Sequence, residues 1–367
     1  MKTPISKVLF LPKWYPNVDD VQLGIFIKRH AQAVALHAEV NLVFVHATKI
    51  DVGFKESHED NFNTVIYYFY KKIRVLRFLK MLLSYYKLLS KMSRPDAVHI
   101  HVLGWQAIIG YWFAKKWKVP FYITEHWTGY YSGGFAKLGF VERKVYQFLF
   151  QHADKVSVVS PFLEEHICKH LGNRAVEIIG NVVTTPLKSV DEKSKVIIIV
   201  SDLRDDMKNI SGTIQAFHKS AVSELGWKLR IIGDGKDMQK LVLLVEELGL
   251  SDKVDFMGRL AQPQVVEQIA KSSFLIVNSR FETFSVVIIE SLALGVPVIT
   301  TRCGGPDEFF KTDAGMFVEV DDNEQLTRAI KKMIVQYESY NIKAMHAISD
   351  QFTLDNISKL MMDFYQQ

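Results

Sequence analysis

Short, almost purely apolar runs recur along the chain, each followed by a glycine-bearing or polar turn and then by a stretch with apolar residues three and four positions apart. In the first half the runs fall at 7–11, 40–45, 65–70, 98–101, 121–124 and 156–159, and in the second at 196–200, 230–232, 254–257, 274–278 and 298–301. Runs this short, rich in Val and Ile and apolar at both odd and even positions, predict strands buried on both faces of a parallel sheet. The intervening stretches predict helices, among them one from about Ile25 to His37, one over 73–92 and a last one over 354–365. Strand and helix in alternation give an α/β fold. Residues 181–195 (NVVTTPLKSVDEKSK) break the pattern: polar, with one proline, they read as a linker. We expect two domains, 1–185 and 186–350, with 351–367 as a closing helical segment. Two bodies on a short linker would place a ligand in the cleft between them.

The stretch 278–308 (NSRFETFSVVIIESLALGVPVITTRCGGPDE) concentrates candidate chemistry. After the apolar run ending at Asn278 a helix is expected, with Ser285 as N-cap and Gly295 and Pro297 as stop signals. The four β-branched residues at 286–289 leave a strand as the alternative. A helix N-terminus at the carboxyl end of a parallel strand offers free backbone N–H groups to an anion, phosphate above all. Glu282 in the loop and Glu290 two turns into the helix could reach opposite ends of one extended ligand. Gly304 and Gly305 would let a second turn approach it without a Cβ.

This stretch resembles the donor-site signature of the family 4 retaining glycosyltransferases of the GT-B fold, in which Glu-x7-Glu is followed by a small-residue helix, Gly-x-Pro-Val-Ile and Gly-Gly-x-x-Glu. The resemblance implies two Rossmann-like domains facing each other across a cleft, with the C-terminal helix returning to the first domain. It implies that Glu282 contacts the donor sugar, that Glu290 holds the ribose, and that amides around Thr283, Phe284 and Ser285 face the diphosphate. Ser285 departs from the pattern, since glycine is common at that place. In the loop SDLRDDMKN, Lys208 matches the family's diphosphate lysine, and Arg204 stands for its arginine in a shifted register. Gly233, and Gly258 with Arg259, end strands as the family's base-binding loops do. In LGIFIKRHAQA, Gly24 resembles the family's glycine loop, the plainer reading being a helix start that needs a small residue. His126, in TEHWTGY after a buried strand, resembles a histidine near the transferred sugar, with a core role as its alternative. His99 and His101 share one strand face, but no cysteine or carboxylate at ligand spacing accompanies them, and a hydrogen-bonded structural role is preferred.

Composition narrows the function classes. With 48% hydrophobic and 23% charged residues the chain is globular, and no apolar run is long enough to span a bilayer. The N-terminal apolar run is too short for a signal peptide, and Cys168 and Cys303 alone suggest reduced thiols, so a cytoplasmic protein is expected. A net charge of +5 does not by itself imply nucleic-acid binding, and none is expected. The charge is uneven. Between Asp60 and Asp96 there is no acidic residue, while Lys71, Lys72, Arg74, Arg77, Lys80, Lys87, Lys91 and Arg94 alternate with Leu, Phe, Tyr and Met. Residues 71–94 could lie on an anionic membrane surface, or form an ordinary amphipathic helix on the sheet.

The resemblance implies, as the expected activity, retaining transfer of a sugar from a nucleotide diphosphate, UDP or GDP, to a hydroxyl acceptor. That acceptor is expected to be a glycan or lipid-linked glycan in cell-surface polysaccharide synthesis, and no metal or other cofactor is required. A GT-B phosphorylase or epimerase, and a non-catalytic membrane-associated scaffold, are the alternatives.

Overall fold

The computed structural model describes residues 5–49, 53–70, 74–184 and 193–366. The chain forms two compact units, Met1–Val182 with Leu354–Gln367, and Val183–Thr353.

The first unit is built on eight strands: β1 (Lys7–Pro12), β2 (Glu39–Thr48), β3 (Gly53–Glu59), β4 (Phe62–Tyr70), β5 (Ala97–His101), β6 (Phe121–Glu125), β7 (Lys155–Val158) and β8 (Glu177–Ile178). Their order is β3-β4-β2-β1-β5-β6-β7-β8, parallel throughout except for the β3–β4 hairpin. Every residue of β5 and β6 is buried, which is why these strands read as continuous rather than alternating apolar runs. β3 has no such signal. Its sequence GFKESHE carries one large apolar residue and lies exposed at the sheet edge, so hydrophobic patterning passed over it.

Around this sheet lie α1 (Ile25–Ala35), α2 (Arg74–Ser90), α3 (Gln106–Trp117), α4 (Phe140–His152) and α5 (Pro161–Leu171). α1 starts at Gly24, whose φ of 67° and close approach to the Trp14 carbonyl, 2.5 Å from where a Cβ would sit, both demand glycine. The last helix of the chain, Leu354–Gln366, belongs to this unit, as the sequence led us to expect. It buries Ile357, Met361, Phe364 and Tyr365 and packs beside α1.

The second unit holds six parallel strands: β9 (Ser194–Val200), β10 (Lys228–Ile232), β11 (Val254–Gly258), β12 (Ser272–Val277), β13 (Val298–Thr301) and β14 (Gly315–Val318). The helices among them are α6 (Asp205–Lys208), α7 (Ile210–Ser220), α8 (Met238–Glu247), α9 (Gln262–Lys271), α10 (Val286–Ala293), α11 (Gly305–Phe309), α12 (Asn323–Gln336) and α13 (Ile342–Ser349). With these named, the closing helix Leu354–Gln366 is α14. Ile197, Phe217, Trp227, Leu229, Phe274 and Ile330 lie in the core, each burial contributing about 1.5–3 kcal/mol. The strand order β11-β10-β9-β12-β13-β14 reverses between β9 and β12, as the first sheet's does between β1 and β5. Crevices at the carboxyl ends of such strand pairs are where ligands bind in open α/β sheets.

Three expectations need correction. Ser285 stands at the N-cap of α10, but at φ 65° and ψ 76°, and its hydroxyl makes no capping bond, because an N-cap side chain reaches the next amides from extended backbone. The loop 201–209 is not open throughout, since α6 forms one helical turn within it. The expected linker is not wholly exposed: Asn181, Val182 and Val183 are buried, and its centre, 185–192, lies outside the described residues. The β-branched run at 286–289 is helical, bounded by Ser285 and by Gly295 at φ 65°.

Candidate active site

In the second unit a cavity of about 130 Å³ opens at the carboxyl ends of β9 and β12, under the first turn of α10. Lys208, Glu282 and Ser285 line it together with Ser201, Asn278 and Ser279. Lys208 Nζ donates to Glu282 Oε1 at 2.6 Å, and Ser279 Oγ donates to the same oxygen at 2.8 Å. Burial disfavours the Lys208 charge, but the Glu282 carboxylate more than offsets this and holds the ammonium above its ordinary pKa. The side-chain hydroxyls of Ser201 and Ser285 are buried with no hydrogen-bond partner, a state a polar ligand would relieve.

The backbone that carries Glu282 is held in place by glycine. Glu282 N donates to the Cys303 carbonyl at 2.9 Å and Gly305 N to the Glu282 carbonyl at 2.9 Å. A Cβ on Gly305 would lie 2.1 Å from the Thr283 carbonyl oxygen, so the pair Gly304-Gly305 is required by the chain's own packing, whatever a ligand adds. Phe284 is buried against Phe309 and Phe352. The Cys303 thiol is pushed up to about 12 by burial and is no nucleophile.

Lys208 is aimed by a clamp that sequence reading missed. Arg280 donates to the Asp205 carbonyl at 2.7 Å and to Asn209 Oδ1 at 3.2 Å, and pairs with Asp321 at 2.8 Å, tying α6 to the loop after β12. Its place inside NSRFE was the available signal. Arg204 is not brought to this cavity: its side chain is exposed and pairs with Asp206 at 3.4 Å. Glu290 is buried on α10, where Gln262 Nε2 donates to it at 2.7 Å. Gly233, at φ 139°, packs on the Ser201 carbonyl, its N–H donates to the Gly258 carbonyl, and Arg259 lies 3.9 Å from Asp202. These loops form one rim around the ends of β9, β10 and β11.

In the first unit, His126 follows β6 and is buried beside Phe26, His30 and His101. The preceding residue, Glu125, is fully buried and accepts from the backbone N–H groups of Leu103, His126 and Trp127 and from the Tyr130 hydroxyl. It therefore fixes the loop that carries His126. Burial raises its pKa, against the pull of these donors and of Lys13. Lys13 is itself lowered by burial, and its Nζ lies 3.2 Å from the Tyr146 hydroxyl and 4.9 Å from the Trp127 ring centre. His99 is a satisfied structural group, bonded to Tyr365 and Thr124 at 2.7 Å each.

A second cavity, of about 800 Å³, is walled by Phe44, Phe69, Phe78, Met81 and Trp105, with Lys13, Arg77 and Glu142 at its polar side. It runs along α2. That helix turns Tyr85 and Leu89 inward, so it packs on the sheet as the second alternative expected, and it leaves Leu76, Leu79, Leu83 and Tyr86 exposed beside Lys80 and Lys87. Lys71 and Lys72 lie outside the described residues. Among the described residues no helix is long and apolar enough to cross a membrane.

Two family profiles match in succession: Glycosyltransferase Family 4 over residues 30–186 and Glycosyl transferases group 1 over 187–347. The chain is 31% identical over 172 residues to the N-acetyl-alpha-D-glucosaminyl L-malate synthase of Bacillus anthracis, covering 46% of this chain and 44% of that protein. It is 24% identical over 335 residues to an uncharacterized glycosyltransferase of Methanocaldococcus jannaschii, covering 90% and 89%. The crystal structure of Anabaena HepE in complex with UDP and glucose superposes at a TM-score of 0.75 with 16% identity, over 98% of this chain and 99% of that one.

Proposed function

The chain belongs to the family 4, group 1 glycosyltransferases, two GT-B-type α/β units with a returning C-terminal helix, and from that premise we propose that it is a retaining, metal-independent transferase using a nucleotide diphosphate sugar. The observation that carries the proposal is the Lys208–Glu282 pair set at the cavity under the N-terminus of α10. As the glycosidic bond breaks, negative charge develops on the departing diphosphate. Lys208 and the first amides of α10 would meet it, with the Ser285 hydroxyl as a further donor. Glu282 receives both its bonds on Oε1, leaving its other oxygen to accept from a sugar hydroxyl. Glu290 would take the ribose hydroxyls and Gly233, Gly258 and Arg259 the base end. Retention follows from a same-face reaction in which the departing phosphate assists the acceptor hydroxyl, with no protein nucleophile. UDP is favoured over GDP because the fold neighbour binds UDP.

His126 would contact the transferred sugar. The aromatic cavity with Lys13 and Arg77 suits an acceptor with an apolar and an anionic part, such as a lipid-linked glycan, which the outer face of α2 would meet at an anionic membrane surface on the cytoplasmic side.

Thermal unfolding with a panel of UDP-, GDP-, ADP- and dTDP-sugars tests the donor reading. At about a hundred times its dissociation constant the right donor adds about 2.7 kcal/mol. One base should stand out, and Glu290→Ala should abolish its effect; no response to any donor would remove the reading. Sedimentation with anionic vesicles tests the surface, which is dismissed if charge reversal at Arg77, Lys80 and Lys87 changes nothing.

A further inference from the structure

His30 on α1, His101 at the end of β5 and His126 after β6 converge in the interior of the first unit, at the point where its strand order reverses. All three are buried, and one ring nitrogen from each lies within 4.8 Å of the other two. Nδ1 of His30, Nε2 of His101 and Nδ1 of His126 have no hydrogen-bond partner in good geometry. The Asn181 side chain lies close enough to His126 to favour its protonated form, yet Asn181 Oδ1 is likewise buried without an aligned partner. His101 Nδ1 lies 3.5 Å from His126 Nε2, and the four buried polar atoms that these side chains leave without a bond call for an occupant.

The ring of His30 states its own tautomer. Its Nε2 is 3.0 Å from the Gly180 carbonyl and must donate to it, so Nδ1 carries a lone pair. An imidazole whose outer nitrogen is anchored on a backbone carbonyl while the inner one is bare is the usual second-shell arrangement of a metal ligand. Phe10 stacks on His101 at 4.7 Å and Phe26 lies 4.7 Å from His126, so the rings sit in a largely apolar shell. Nearby groups argue for the same class. His99 has both nitrogens bonded, and the Glu125 oxygens are taken by N–H and O–H donors, so the donors on offer are imidazoles rather than carboxylates. Imidazole donors suit zinc-type ions and not magnesium or calcium.

We propose that His30, His101 and His126 hold one divalent transition-metal ion of the zinc type, with a fourth position open to water or to Asn181. At the 4.8 Å limit the centre of three nitrogens is about 2.8 Å from each, against about 2.0–2.1 Å for a zinc–imidazole bond. Each ring has to close in by about 0.7 Å or less, within reach of small side-chain rotations. The ion ties α1, the end of β5 and the loop after β6 into one piece, and orients the His126 ring. The ion lies in the first unit and Lys208 and Glu282 in the second, so the two meet only through His126, the ligand proposed above to contact the transferred sugar.

The test uses the full chain without an affinity histidine tag, stripped with chelator and titrated with Co²⁺. One equivalent should bind, with the strong visible absorption of four-coordinate cobalt, and Zn²⁺ should displace it. His101→Ala and His30→Gln should each weaken binding more than about 100-fold, beyond the ten- to hundredfold loss of a second-shell partner. His58→Ala, on an exposed strand, and Glu290→Ala, in the donor site, should leave the cobalt band intact. A folded wild-type chain with no saturable band at excess Co²⁺ overturns the proposal and assigns the space to water. So does a band that survives His101→Ala and His30→Gln together. Since the wild-type result stands alone, misfolding of a variant does not rescue the idea.

Discussion

The two units use the same architectural opportunity in opposite ways. Each has a reversal of strand order, β1/β5 in one and β9/β12 in the other, and each gathers its polar side chains there. In the second unit the place is charged: Lys208 and Glu282 pair at 2.6 Å beneath a helix N-terminus. In the first it is neutral: His30 is lowered to about 4 and His101 and His126 well below their ordinary value, all chiefly by burial. A pair of opposite charges suits the diphosphate proposed to lie there. Uncharged imidazoles in an aromatic shell are ready to accept, donate or ligate, and offer no pull on an anion.

Charge removal should separate the units most sharply. Lys208→Ala is expected to lower turnover by about 10²–10³-fold, the usual loss of one electrostatic stabiliser of a leaving group, as read in kcat with saturating donor. An effect on KM alone would mean that Lys208 serves binding and not the departing charge. Next in size is Gly305→Ala, whose methyl would meet the Thr283 carbonyl at 2.1 Å. Overpacking of this kind costs about 1–3 kcal/mol, seen as a lower urea midpoint of the second unit, and the donor-induced thermal shift should fall with it. His126→Ala, measured in chelator, should lower turnover by only about tenfold, the loss of one neutral hydrogen bond. If it equals Lys208→Ala, the contrast between the two places is wrong.

Alkaline stability sharpens the comparison further. The folded pKa of Lys208 is raised, so its pair stabilises the fold fully below the unfolded lysine value of 10.5 and the contribution is lost as pH rises through the folded value. Wild type should lose unfolding free energy above about pH 10.5 more steeply than Lys208→Met. Ser285→Gly is the smallest change. Relieving a left-handed non-glycine residue should gain up to about 1 kcal/mol, read in the thermal midpoint, while weakening donor binding if the hydroxyl meets phosphate.

What could be read from sequence follows the same division. Glu282, Ser285, Glu290, Gly304 and Gly305 lie within one short stretch, and a local pattern of strand, turn and helix carries them together. Even there, long-range geometry stayed hidden: no spacing rule shows that Arg280 grips the turn of Lys208, or that Arg204 turns to Asp206 instead. His30 and His101 come from a helix and a strand of the first unit, His126 and Asn181 from two loops, and nothing in their spacing announces a cluster. His99 and His101 looked equivalent on one strand face. Yet Tyr365, 266 positions later, and Thr124 satisfy the first, while the second meets His126 through Nδ1 and keeps Nε2 unbonded. The strands were legible because both faces are buried, and β3 was not because neither is.

The position of α14 orders the birth of the molecule. On a ribosome, Val183–Thr353 is a contiguous stretch that can close its own sheet as soon as it emerges, whereas the first unit, made earlier, must wait for Leu354–Gln366 to cover α1 and to bring Tyr365 to His99. The earlier-made half is thus the later-finished one. Until then His99 lacks the hydroxyl of Tyr365 and the ring of Phe364 that close over it.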